Sequence, residues 1–197
     1  MNDDYAVLSR VTPRVGIPCR TPDGLTPLVY AEDPAISVMT DFSEVTPVTI
    51  EPGLSIDLAL RKMKEAGVRL LLMTDREDNI TGIITSYDIQ GDWPLRLVQE
   101  QGIAHADIRV QMLMTPLDEV MAMDIITVRG ARVGHIINTL RDNESKYTLV
   151  IETDRGSGEQ VIRGLFSIAY ISKLMGYDAM DAEFAAHSLA EVQHQLG

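Results

Sequence analysis

The stretch Gly82-Ile83-Ile84-Thr85-Ser86-Tyr87-Asp88 decides how the rest of the chain is read. Its apolar half reads as the end of a buried strand. Its second half, Thr85-Ser86-Tyr87-Asp88, reads as the first turn of a helix with Thr85 as the cap. A hydroxyl and a carboxylate then stand three residues apart at a helix N-terminus, whose free N–H groups attract anions. Two readings follow. Thr85 and Asp88 either form a capping box that only satisfies orphan N–H groups, or they meet a ligand carrying a sugar diol and a phosphate. The [Ser/Thr]-x-x-[Asp/Glu] pattern is too common to choose between them.

Working upstream, residues 68–74 are an almost unbroken apolar run of strand length, which implies a strand covered on both faces. The turn Asp75-Arg76-Glu77-Asp78-Asn79 joins it to the returning strand at 80–84. Before it, Ser55 caps a helix to about Ala66, with Ile56, Leu60 and Met63 on one face and Gly67 as the stop. Pro47-Val48-Thr49-Ile50 reads as a short strand closed by the turn Pro52-Gly53. The helix opened by Thr85 is disturbed near Gly91 and Pro94. The order is strand, helix, strand, strand, helix.

Downstream the pattern returns. Met39-Thr40, Glu44 and Val45 recur 75 positions later as Met114-Thr115, Glu119 and Val120. Val48-Thr49-Ile50 is matched to Ile126-Thr127-Val128 at an offset of 78, and Thr74-Asp75 to Thr153-Asp154 at 79. Gly82-Ile83-Ile84-Thr85 returns as Gly164-Leu165-Phe166-Ser167 at 82. The offset grows at expected turns, where insertions are tolerated. An ordered internal repeat outweighs any single residue.

Four segments result: an extended arm over 1–34, a first unit over 35–106, a second over 107–176 and an amphipathic helix over 177–197. The arm is Pro-rich yet too apolar for a solvated tail, so it is expected to lie on the body or on a partner subunit. The terminal helix has Met180, Phe184, Leu189 and Leu196 at helical spacing, and needs a surface to pack on.

Composition narrows the function. The 197 residues hold 45 % apolar and 23 % charged side chains, enough for a packed core. The formal charge is −12 without a basic cluster, which argues against nucleic acid. No apolar run approaches a membrane span, and Leu70-Leu71-Leu72-Met73 is among the longest. The acidic start, Met1-Asn2-Asp3-Asp4, does not look like a signal peptide. Cys19 has no internal partner and reads as a bystander. The expectation is a soluble, cytoplasmic protein.

A tandem of units in this order, each opened by Met-Thr and closed by Gly-apolar-apolar-[Thr/Ser], resembles the paired CBS domain, or Bateman module, over residues 35–175. The resemblance implies an α/β (α+β) fold of two β-α-β-β-α units packed about a pseudo-twofold axis. It also implies adenosine ligands (AMP, ADP, ATP or S-adenosylmethionine) in clefts between the units, a homodimer, and regulation of a protein partner that the chain does not identify. A dimerisation or assembly module with unused clefts is the alternative. Carried over by position, Thr85 and Asp88 would hold a ribose, an ionised carboxylate offering two acceptor oxygens to a cis diol. Ile83 would line the same wall, and Arg69 and Lys146 would reach phosphates. Thr115, Val120, Tyr147 and Thr148 would form the adenine wall. The second copy departs from the pattern, with Tyr170 where the first has Asp88. A phenol cannot chelate a diol as an acceptor, so one nucleotide-competent cleft and one altered or empty cleft are expected.

Nothing points to catalysis. His105 and His135 lie in separate expected elements, and His187 and His194 share a face without a third ligand for a metal. No nucleophile stands beside a base, and no phosphate-cradling Gly-x-x-x-x-Gly-Lys run occurs. A binding protein without catalytic or metal residues is therefore expected.

Overall fold

Ser55 accepts a hydrogen bond from the Leu58 N–H (3.3 Å) and starts helix α1 (Ile56–Ala66). Gly67, in the left-handed conformation at φ 67°, ends it. In this computed structural model, which describes residues 9–12, 14–15, 28–154 and 156–180, α1 buries Ile56, Ala59 and Met63 against a four-stranded sheet. Strand β3 (Leu70–Thr74) lies between β2 (Thr49–Ile50), parallel to it, and β4 (Ile80–Thr85), antiparallel. Leu71 and Met73 face the helices while Leu72 faces the other sheet, so β3 is covered on both sides as its apolar run predicts. After β4 come α2 (Ser86–Gln90) and α3 (Trp93–Gln101), the break falling at Gly91.

The second unit repeats the plan with β6 (Ala122–Asp124), α4 (Ile125–Arg129), α5 (Val133–Asp142), β7 (Tyr147–Thr153), β8 (Gln160–Ser167) and α6 (Ile168–Met175). The registers match. Leu70 pairs with Thr85 as Tyr147 pairs with Ser167, and each central strand is bulged at the equivalent place, after Met73 and after Val150.

One sequence expectation is overturned here. Ile126-Thr127-Val128 is not a strand but the middle of α4. Asp124 accepts from the Ile126 N–H (2.6 Å) and nucleates the helix, and Ile125 and Val128 then bury one helical face. The cap overrides the β-branched composition. The strand equivalent to β2 is β6, whose Ala122 pairs with Leu149 as Thr49 pairs with Leu72.

Each unit lends its opening segment to the other. Strand β1 (Thr40–Asp41) adds to β8, and β5 (Thr115–Pro116) adds to β4, giving sheets of order β1-β8-β7-β6 and β2-β3-β4-β5. Ala35 and Val38, fully buried, sit in the second unit's core, and Ile108 and Val110 sit in the first's. Backbone bonds repeat the exchange. Val133 N–H donates to Asp33 O (2.9 Å) and Ile56 N–H to Ile108 O (3.3 Å). At about 1.5–3 kcal/mol for each large buried aliphatic, the exchange ties together the two halves that the sequence repeat splits between 106 and 107.

The crossing explains the glycine in each closing motif. A Cβ on Gly82 would stand 2.6 Å from the Thr115 carbonyl oxygen, and one on Gly164 would collide with the Thr40 carbonyl oxygen. Arg163 adds a clamp on one exchange only. It donates from Nε and Nη2 to the two Asp41 oxygens (2.8 Å each) and from Nη1 to Glu152 (2.9 Å).

Of the expected arm, residues 28–34 pack on the second unit, where Val29 N–H donates to Leu174 O (3.2 Å). Residues 177–180 form a bend and a turn rather than the start of the expected terminal helix, and Cys19, His187, His194 and the rest of that expected helix lie outside the described residues. Among the described residues, no helix is long and apolar enough to cross a membrane.

Candidate functional site

The inner faces of the two sheets meet through Leu72, Ile83 and Leu149, with Phe42, Leu70, Leu117, Val120, Tyr147 and Leu165 around them. Beside this layer a cleft of about 800 Å³ opens between the units. Its walls come from the first unit's opening segment, the heads of β3 and β7, and the first turns of α2 and α6.

Register places the cations. Arg69 and Lys146 precede β3 and β7 at equivalent positions. The carbonyl of Arg69 accepts from Ser86 N–H at the start of α2, and that of Lys146 from Ile168 N–H at the start of α6 (2.9 Å each). Lys146 Nζ lies 3.7 Å from the centroid of the Tyr87 ring, a cation–π contact. Lys173, in the last turn of α6, lines the same cleft. Sequence reasoning missed it, although Ser167, Tyr170 and Lys173 are spaced by three and so share a helix face. Among the described residues that line the cleft there is no Asp or Glu.

Of the sequence-derived residues, Arg69, Lys146, Thr85 and Tyr147 therefore line one opening. Asp88 does not. Its Oδ2 accepts from both the Thr85 N–H and the Thr85 hydroxyl (2.7 Å each), while Asp88 N–H donates to Thr85 Oγ1 (3.3 Å). This is a complete capping box. Thr148 points the other way. It is fully buried and donates its hydroxyl to Met121 O (3.0 Å), so it offers the cleft no side chain. Ile83 is fully buried between the sheets, where Val120 packs against the same layer.

Tyr147 lines the open cleft and packs in the inter-sheet layer with Val120. Its half-buried phenol interacts with the Thr115 side chain and with the charge of Asp88, and burial followed by that charge pushes its pKa above the ordinary tyrosine value. The residue equivalent to Tyr147 is Leu70. Leucine is shorter, and Leu70 and Tyr147 both line the opening, together with Ser167 and Tyr170. The sequence expects the competent cleft on the Asp88 side; the opening between the units has Ser167 and Tyr170, and not Asp88, among its described lining residues. Ser167 caps α6 without a side-chain hydrogen bond, and Tyr170 is 42 % exposed.

Residues 35–91 match the family model of the CBS domain. The first unit is a CBS domain. The second unit, beyond the matched residues, repeats the same strand pairing and the reciprocal exchange. No protein of curated function matches the sequence. An uncharacterized conserved protein from Pyrococcus horikoshii is similar at 21 % identity and TM-score 0.51, over 74 % of this chain and 93 % of that one. A putative signal-transduction protein with CBS domains from Burkholderia ambifaria MC40-6 is similar at 24 % identity and TM-score 0.47, covering 65 % and 81 %. A CBS domain pair in complex with 5′-methylthioadenosine and S-adenosyl-L-methionine is similar at 19 % identity and TM-score 0.48, covering 76 % and 98 %. At these identities the likeness is one of fold.

Proposed function

We propose that this CBS pair is a regulatory module, not an enzyme, that binds a phosphate-bearing adenosine nucleotide (AMP, ADP or ATP) between its sheets and signals occupancy to a protein partner. One observation carries the reading. In a chain of net charge −12, the cleft gathers Arg69, Lys146 and Lys173 and, among its described lining residues, no carboxylate. At an effective dielectric constant near 20, opposite unit charges 4 Å apart attract by about 4 kcal/mol, so phosphates suit this opening. S-adenosylmethionine, with two cationic groups against one carboxylate, suits it less. Phe42, Leu70 and Leu165 supply apolar surface for a base. The signal follows from the same charges. The three cations repel one another across the gap between the units, and a bound phosphate group draws them together. The movement passes to α2 and α6 through the carbonyls of Arg69 and Lys146.

A second reading, an assembly module that dimerises with unused clefts, is favoured by the Asp88 capping box and by the half-buried Tyr147 phenol beside Asp88 and Thr115. Exposed Trp93 and Leu95 on α3 would then serve pairing with a second copy. Calorimetric and thermal-shift titrations with AMP, ADP, ATP and S-adenosylmethionine separate the two. A ligand of the native state at a hundredfold excess over Kd raises apparent stability by about 2.7 kcal/mol. The nucleotide reading expects such a shift, weakened by Lys146→Ala and by Lys173→Ala. No shift with any of the four compounds leaves the assembly reading.

A further inference from the structure

We infer that the open cleft reads the base and phosphates of its nucleotide but is blind to the ribose 2′-hydroxyl, an inference that rests on the nucleotide reading above. Holding a cis diol selectively takes an acceptor-only group such as a carboxylate, whose bonds to O–H donors are worth roughly tenfold to a hundredfold each in binding. The cleft has none. The polar side chains along it are three cations, which only donate, and the hydroxyls of Thr, Ser and Tyr residues. A hydroxyl both donates and accepts, so it exchanges a water partner for a sugar O–H with little net gain. Asp88, the carboxylate that sequence spacing assigns to a diol, has its Oδ2 in the Thr85 capping box and is absent from the lining. On the open side its register equivalent is Tyr170. The phenol gives a base or sugar a flat face and a neutral oxygen, without the two charged acceptor atoms that a vicinal diol engages.

The test is parallel calorimetric titration of the full chain with ATP and 2′-dATP, repeated on Tyr170→Asp. In the parent protein the two nucleotides are expected to bind with Kd values less than tenfold apart. Tyr170→Asp places a carboxylate at that helix position and should raise the preference for ATP over 2′-dATP by at least tenfold. A tenfold or larger ribose preference in the parent, or no gain in preference in a Tyr170→Asp protein that still binds ATP, overturns the inference while leaving nucleotide binding intact. If neither nucleotide binds the parent chain, the nucleotide reading itself fails and this inference falls with it.

Discussion

If the Tyr147 ring closes the Asp88 side, replacing it by leucine makes that side a copy of the open one, because Leu70 already occupies the equivalent position. A fully buried aromatic side chain removes about 150–250 Å² from water, so the half-buried Tyr147 accounts for about 100 Å². Leucine retains about half of that contact. The roughly 50 Å² lost, at about 25 cal/mol per Å², is about 1.2 kcal/mol, and incomplete collapse brings the cost to about 1–2 kcal/mol. For a body of this size that lowers Tm by roughly 2–8 °C, so Tyr147→Leu should remain folded at 25 °C. The variant opens a space bounded by Asp88, Thr115 and Val120. Calorimetry with ATP should then give two sites per chain where the parent gives one. The new site, with a carboxylate beside it, should prefer ATP over 2′-dATP. A folded Tyr147→Leu protein that still binds one nucleotide refutes the claim that the tyrosine ring closes the second cleft. So does a parent chain that already binds two.

Three further outcomes follow from the same geometry. Asp88→Ala should lower stability by about 1 kcal/mol, a cap's worth, in urea titrations without changing nucleotide affinity; lost binding at unchanged stability would put Asp88 in the ligand site. Gly82→Ala and Gly164→Ala should each cost about 2–3 kcal/mol, because the added methyl meets the backbone of the exchanged strand rather than a side chain that can turn away; a cost under 0.5 kcal/mol in denaturant titration contradicts the close crossing. Hydrogen bonding to Arg163 first, then to Ser43, holds the Asp41 carboxyl well below its ordinary 3.8. The unfolded chain therefore takes up that proton first, and the stability Asp41 contributes is fully present above about pH 4 and lost as pH falls below it. Stability measured from pH 6 to pH 2.5 should fall more steeply in the parent than in Asp41→Asn; parallel curves remove the clamp. Asp75 and Asp154, held low by turn hydrogen bonds, slope both proteins alike.

The repeat was legible because the exchange constrains both closing motifs alike: Gly82 and Gly164 admit no side chain where a strand from the other half crosses. Helix α1 was legible from Ser55 and Gly67, which act locally. The exchange itself carries no local signal. Met39-Thr40 and Met114-Thr115 look like the starts of their own units, and only long-range pairing sends each into the other's sheet. Ile126-Thr127-Val128 misled because β-branched composition is a weaker determinant than the Asp124 cap. That misalignment also hid the comparison that matters at the site. Matching the central strands by their Thr74-Asp75 and Thr153-Asp154 turns skips the longer β7, whereas pairing register sets Tyr147 against Leu70. Arg69 and Lys146 could be found as strand-head cations. Lys173 could not be found until the α6 face was known to line the cleft.

The central claim, that the open side takes the nucleotide by its phosphates, is tested most directly by a crystal structure of the full chain grown with ATP. The account predicts density between the units on the Tyr170 side, with phosphate oxygens against Arg69, Lys146 and Lys173 and the Thr85–Asp88 capping box undisturbed. Density on the Asp88 side, with the Tyr147 ring displaced and the ribose on the carboxylate, would contradict it.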